Sequence, residues 1–329
     1  MMSINYIGSK RSLFPLLDEV FSKYVKKDTV FADLFAGTGI VSYLVSKKYD
    51  CNIVTNDMQY YSFVFNKANM AKYTDNDITI ISEKIKEYNN TDLIIEDFFT
   101  DNYAPPKRMY FTVENARKID TIRYMIEEDR KVVSENVYYY LLSCLISAAD
   151  KVANTSSVYA SYLKEFKKSA LNILTLKSNV ELSTNNTKNI CLNKNVLDVL
   201  DINYDVVYLD PPYNGRQYAN YYHILESIAK DDNPEISGIT GMRNYDNQKS
   251  DFCSQTKAIE VFEKLIKNIK SKIIILSYND EGIISHDDIM KILNKKGKVI
   301  VKKQEYKKFK AQQGVKRGNV YEYLFIVEV

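Results

Sequence analysis

The chain has 329 residues, about two domains at roughly 150 residues each, or one large domain carrying an insertion. At 45% hydrophobic and 26% charged residues it has the proportions of a globular protein, which excludes wholesale disorder and collagen-like order. Lys and Arg number 45 against 42 Asp and Glu, a net charge of +3, too even for a histone-like binder, so any affinity for nucleic acid must come from local clustering.

Four cysteines (Cys51, Cys144, Cys191, Cys253) lie far apart with no CxxC, which argues against a disulfide scaffold or a zinc site and makes a reducing cytoplasm the expected setting. Only two histidines exist, His223 and His286, so histidine-based metal catalysis has almost nothing to build on. The start of the chain lacks a signal-peptide core, because Asp18 and Glu19 interrupt the apolar stretch at Phe14 to Leu17. Val137 to Ala149 is too short to cross a bilayer and reads as a buried helix. A cytoplasmic chain with neither membrane nor metal is the expectation.

In chain order, Ser12 to Tyr24 carries Leu13, Leu16, Leu17, Val20 and Phe21 at helical spacing, with Ser12 the expected N-cap. Thr29 to Phe35 predicts a short strand, Ala36-Gly37-Thr38-Gly39 a turn, and Ile40 to Lys48 a helix. Asn52 to Thr55 is a second strand and Tyr60 to Lys72 a second helix, the pattern of a parallel doubly wound sheet. From about 78 to 178 the periodicity is mainly helical. Strands return at Asn189 to Leu192 and at Tyr204 to Leu209, the latter almost uniformly apolar, as in a central parallel strand. A polar, turn-rich segment spans Asp231 to Ser254. Helices are then expected at Thr256 to Lys270 and Asp287 to Asn294, and strands at Lys272 to Ser277, Val299 to Gln304 and Tyr321 to Val329. The fold class is therefore α/β, a doubly wound, mostly parallel Rossmann-like sheet over 1–84 and 186–329, split by a helical insertion at 85–185.

Asp33-Leu34-Phe35-Ala36-Gly37-Thr38-Gly39 places an acid at a strand end and two glycines in the turn into a helix, where they allow a tight bend and close approach of a ligand. A plain helix-entry turn would use the same glycines. Asp33, however, would repel a pyrophosphate and suits a cationic amine. Asp57, at the end of the second strand, is spaced to accept hydrogen bonds from both hydroxyls of a ribose. A nucleoside with an amino-acid tail is S-adenosylmethionine, and NAD is the weaker candidate.

Val206 to Leu209 leads straight into Asp210-Pro211-Pro212-Tyr213. Proline pairs end strands in many proteins, but these residues also fit one chemical problem. The exocyclic amine of a nucleobase is a poor nucleophile because its lone pair is delocalised into the ring. Asp210 and the Pro211 carbonyl can each accept one of its protons and localise that pair, the two prolines fix the backbone, and Tyr213 offers a ring on which a flipped base can stack.

Together these residues resemble the Dam-like (D12) class of DNA adenine-N6 methyltransferases, in the α-group order. Asn5-Tyr6-Ile7-Gly8-Ser9-Lys10-Arg11 resembles the family's opening motif, and the resemblance covers about 1–75 and 188–329. It implies that Tyr6 and Lys10 line the cofactor pocket, that Asp33, Phe35, Gly37 and Gly39 serve the methionine moiety, that Asp57 serves the ribose, and that Asp210 to Tyr213 are catalytic, with Asp210 also touching the cofactor. Asn214-Gly215-Arg216-Gln217-Tyr218 resembles a restriction-modification subgroup, which implies double-stranded DNA as partner and a cognate restriction endonuclease as a further candidate. The acid with which the family usually contacts the cofactor's adenine is matched here by Asn195, a departure. Residues 85–185 are the expected target-recognition region, although neither they nor 231–254 match a recognition domain that can be named.

The densest positive run is Lys302 to Lys310, followed by Lys316 and Arg317. It reads equally well as a solvated face or as a phosphate grip through Lys307, Lys308, Lys310, Lys316 and Arg317, with Arg216 a further contact candidate. Tyr138 to Tyr140, Tyr221, Tyr222 and His223 read as helix packing. Glu226 is a candidate structural partner for a nearby arginine. Two rival functions remain: an RNA adenine methyltransferase sharing the chemistry, and a non-catalytic nucleic-acid binder of the same fold.

Overall fold

The computed structural model describes residues 4, 8, 10–179, 188–306 and 320–329. Tyr6, Lys307, Lys308, Lys310, Lys316 and Arg317 lie outside the described residues.

Seven strands form the main sheet: β1 (Val30–Asp33), β2 (Asn52–Asn56), β3 (Ile190–Leu192), β4 (Asn203–Leu209), β5 (Lys270–Asn279), β6 (Lys298–Tyr306) and β7 (Val320–Glu328). Their spatial order is β3-β2-β1-β4-β5-β7-β6. β3, β2, β1, β4 and β5 pair in parallel, and β7 runs antiparallel to both its neighbours. This is the mostly parallel, Rossmann-like sheet that the alternating pattern predicts. Along β4 the side chains alternate between two cores. Val206 and Tyr208 join Phe21, Phe31 and Ile275, while Val207 and Leu209 join Ile274, Leu276 and Phe325.

The helices are α1 (Phe14–Tyr24), α2 (Ile40–Lys48), α3 (Tyr60–Met70), α4 (Asp75–Asn89), α5 (Phe98–Tyr103), α6 (Val113–Asp129), α7 (Glu135–Val152), α8 (Tyr218–Tyr221), α9 (His223–Lys230), α10 (Ala258–Asn268) and α11 (His286–Leu293). α1 begins two residues later than the sequence suggests. Lys10–Leu13 forms a 3₁₀ turn, Leu13 is the N-cap, and Pro15 sits in the first helical turn, where its missing N–H costs nothing. Ser12 is therefore not the cap. α4, α6, α7 and α11 do start on capping side chains, Thr74, Thr112, Ser134 and Ser285, each accepting from a backbone N–H three residues on.

α7 is buried on nearly every face because it sits at the centre of a large apolar core. That core takes in residues of α4, α5 and α6 and continues into α3 and α9, through Tyr61, Val64, Phe65, Ile224, Leu225 and Ile228. Within the segment 231–254, Ile236–Ser237 pairs with Met242–Arg243 as a short antiparallel ribbon, fixed by Arg108 donating to the carbonyls of Gly238 and Ile239. Among the described residues no helix is long and apolar enough to cross a membrane, and no three His, Cys, Asp or Glu side chains group as metal ligands.

Candidate active site

A cleft with about 980 Å³ of atom-free space, open to solvent, lies at the carboxyl ends of the parallel strands. It spans the point where the strand order reverses between β1 and β4, the usual ligand position in an open α/β sheet. Four strand ends contribute: Leu34 and Phe35 after β1, Asn56 at the end of β2 with Asp57 to Gln59 after it, Lys194 to Leu197 after β3, and Asp210 to Tyr213 after β4.

The glycine turn is built from below this cleft. Gly37 and Gly39 have φ of 51° and 78°, left-handed values that favour glycine. A Cβ on Gly39 would also lie 2.5 Å from the Asn66 Oδ1, so α3 packs directly against the turn. The Gly37 N–H donates to Asp57 Oδ2 (2.8 Å) and the Gln59 N–H to Asp57 Oδ1 (2.8 Å), aiming that carboxylate along the cleft wall. Burial raises Asp57 to about 6, against the lowering pull of those two backbone bonds. Asp33 does not line the cleft. It is buried beneath the turn, its Oδ2 accepts from Ser42 Oγ (2.8 Å), its Oδ1 has no hydrogen-bond partner, and burial raises it to about 7. Asn195 lines the cleft while its Oδ1 accepts from the Leu197 N–H (3.0 Å), starting a 3₁₀ turn.

On the other side, Asp210, Pro211, Pro212 and Tyr213 all face the same cleft, as does Lys10. Lys10 Nζ lies 3.1 Å from Asp210 Oδ1 and 5.8 Å from the centre of the Tyr213 ring. Burial pushes Asp210 up to about 6, with the Lys10 ammonium pulling it down. Burial also opposes the Lys10 charge, but Asp210 and Glu322 outweigh it and hold that ammonium well above the ordinary lysine range. Tyr213 is propped edge-on against Tyr278. Arg216 is exposed beside the turn.

Several residues of the site carry no local sequence signal. Gln217 exchanges two hydrogen bonds with the Ser250 backbone (3.0 and 2.8 Å), clamping the loop after β4 to the segment 248–252, which forms a wall of the cleft. Phe252 of that wall meets Phe35 edge-on. Glu226 pairs with Lys230 and accepts from the first-turn amides of α3, rather than partnering an arginine. Asn56 holds the turns after β1 and β3 together by donating to the Leu34 and Lys194 carbonyls. Tyr138 to Tyr140 are buried on α7. His223, buried with Nε2 at 3.0 Å from the Tyr159 carbonyl, is pushed by burial down to about 4 and stays neutral.

A family model described as D12 class N6 adenine-specific DNA methyltransferase matches residues 6–292. The chain belongs to this family. It is an enzyme of the N6 adenine-specific DNA methyltransferase class. The type II methyltransferase M.NlaIII of Neisseria lactamica is 38% identical over 343 residues, covering 99% of each chain. M.CviAII, from Paramecium bursaria Chlorella virus 1, is 38% identical and covers 100% of this chain and 99% of its own length. M.FokI of Planomicrobium okeanokoites is 36% identical, with 99% of this chain matching 52% of that longer protein.

Proposed function

We propose that this methyltransferase takes S-adenosylmethionine as donor, that Asp210 and the Pro211 carbonyl activate the N6 amine of an adenine flipped out of duplex DNA, and that Tyr213 stacks under that base. The observation that carries this reading is one cleft with an aimed ribose-type acceptor, Asp57, on one wall and the Asp210-Pro211-Pro212-Tyr213 turn on the other. The donor set fits the cofactor. Asp57 keeps lone pairs free beyond its two backbone bonds, and Phe35, Val196 and Leu197 give apolar contact for a purine. When bound, S-adenosylmethionine supplies an electrophilic methyl group on a sulfonium. Asp210, ionised, accepts one N6 proton while the Pro211 carbonyl accepts the other, which localises the lone pair toward the incoming methyl. Preorganised acceptors of this kind contribute several kcal/mol, roughly 3–4, to a barrier. Asp210 is the nearest base for the proton that the methylated amine sheds.

Residues 85–185 form the target-recognition part of this reading. Arg216, Lys307, Lys308, Lys310, Lys316 and Arg317 are assigned to DNA phosphates, and protection of host DNA beside a cognate endonuclease is the biological role. In Asp57→Ala, S-adenosylmethionine should bind about 10- to 100-fold more weakly by calorimetry, the worth of hydrogen bonds to a charged acceptor. Unchanged affinity would remove the ribose assignment.

A further inference from the structure

We propose that Glu322 is a positioning residue of the transfer site: it shares the Lys10 ammonium with Asp210, so that Lys10 keeps that carboxylate ionised while Glu322 holds the ammonium back from occupying it fully. The proposal rests on the reading of Asp210 as the acceptor for the target amine.

Glu322 lies on β7, the antiparallel strand, and is only 6% exposed. Its Oε1 accepts from Lys10 Nζ (2.7 Å) and from Ser277 Oγ of β5 (2.6 Å), and Asn279 Nδ2 reaches its Oε2 at 3.5 Å. Lys10 Nζ then stands 3.1 Å from Asp210 Oδ1. One buried ammonium is thus shared by two carboxylates from segments more than a hundred residues apart in sequence. As a fold stabiliser this is a poor arrangement, because desolvation offsets most of the attraction in a buried ion pair. As a device at a reacting carboxylate it solves two problems. Without a cation, Asp210 in its buried position would protonate and lose its capacity to accept. With a cation belonging to it alone, the ammonium would compete with the target amine for Oδ1. Sharing Lys10 with Glu322 supplies the field and weakens the competition.

The other groups facing Asp210 are Asp33 at the end of β1, Tyr208 on β4, Tyr213 in the catalytic turn and Tyr218 on α8. Burial raises all three tyrosines, so they stay neutral at assay pH. Asp33 is common to every variant below. Ser277 and Asn279 are uncharged.

The test is the pH dependence of kcat/KM for DNA methylation between about pH 5 and 9, using the full chain with S-adenosylmethionine and plasmid DNA. Ionised Asp210 is the active form, so the wild-type rate should fall with acid, tenfold per unit, through an apparent value near 6. Lys10→Met removes the attraction, and the limb should move to higher pH by about one unit. Glu322→Gln removes a like charge and leaves Lys10 to Asp210 alone. Its limb should move to lower pH by roughly half a unit to one unit, with a reduced plateau. Lys10→Arg keeps the charge and should leave the limb in place. If Lys10→Met fails to fold, the downward shift in Glu322→Gln carries the test with Lys10→Arg as control. A purely structural role would lower plateaus without moving the limbs in opposite directions, and limbs that stay put or move together would overturn the proposal. Asp210→Asn, run alongside, separates the failures: an active Asp210→Asn enzyme would remove the underlying reading itself.

Discussion

Asp210→Ala abolishes methyl transfer, with kcat falling at least about 10²- to 10³-fold, while S-adenosylmethionine affinity changes little. The size follows from the loss of a preorganised acceptor at the reacting nitrogen. The selectivity follows from position: Asp210 stands across the cleft from Asp57, whose two backbone bonds do not involve the Asp210 to Tyr213 turn. Folding should survive, because Lys10 retains Glu322 at 2.7 Å and a buried carboxylate that burial had pushed up to about 6 is removed. Methyl incorporation into DNA, together with calorimetry of the cofactor, reads both quantities. More than a few per cent residual activity would remove Asp210 from its assigned role.

The largest stability effect should come from Glu226→Ala, far from the reacting atoms. Glu226 is 1% exposed on α9 and accepts from Tyr60 N–H (3.0 Å) and Tyr61 N–H (2.9 Å) at the start of α3. It also accepts from Gln248 Nε2 (2.6 Å) and pairs with Lys230 (3.0 Å). A carboxylate there satisfies two amides that have no partner within the helix and sits at the positive end of its dipole. Truncation leaves those donors buried, at a cost of roughly 3–5 kcal/mol, as for breaking a buried charged network. Chemical denaturation should show a midpoint clearly lower than wild type, and Glu226→Gln, which keeps one acceptor, should fall between the two. Because α3 follows Asp57 and Gln59 directly, cofactor binding should weaken in parallel. A midpoint within experimental error of wild type would mean that water replaces this carboxylate.

What was legible in the sequence is what is local. The helix Ile40–Lys48 and the strand ending at Leu209 fall where periodicity predicts, because the apolar spacing that marks an element is the same spacing that buries it. Phe35, Asp57 and the Asp210 to Tyr213 turn could be picked out from short-range residue types, and Lys10 through the resemblance of the opening motif; all line the one cleft. Glu322 could not. Its meaning depends on Lys10, 312 residues earlier, and on two polar side chains of a neighbouring strand. Glu226 and Gln248 are similar: their partners are amides of α3 and one another. Ser12 illustrates the opposite error, a good capping residue standing one position before the observed N-cap, overruled by Pro15 and the 3₁₀ turn that brings Lys10 to the cleft. The segment 231–254 reads as featureless polar loop because Gln248, Ser250 and Phe252 act through long-range contacts and not through periodicity.

Nucleoside mass spectrometry tests the central claim most directly. Unmethylated plasmid DNA and a structured RNA would be incubated together with the protein and S-adenosylmethionine, then digested. N6-methyldeoxyadenosine from the DNA, absent with Asp210→Ala, is the expected result. Methyl groups found only in the RNA, on a different nucleoside, or nowhere despite a folded protein that binds the cofactor, would contradict the account.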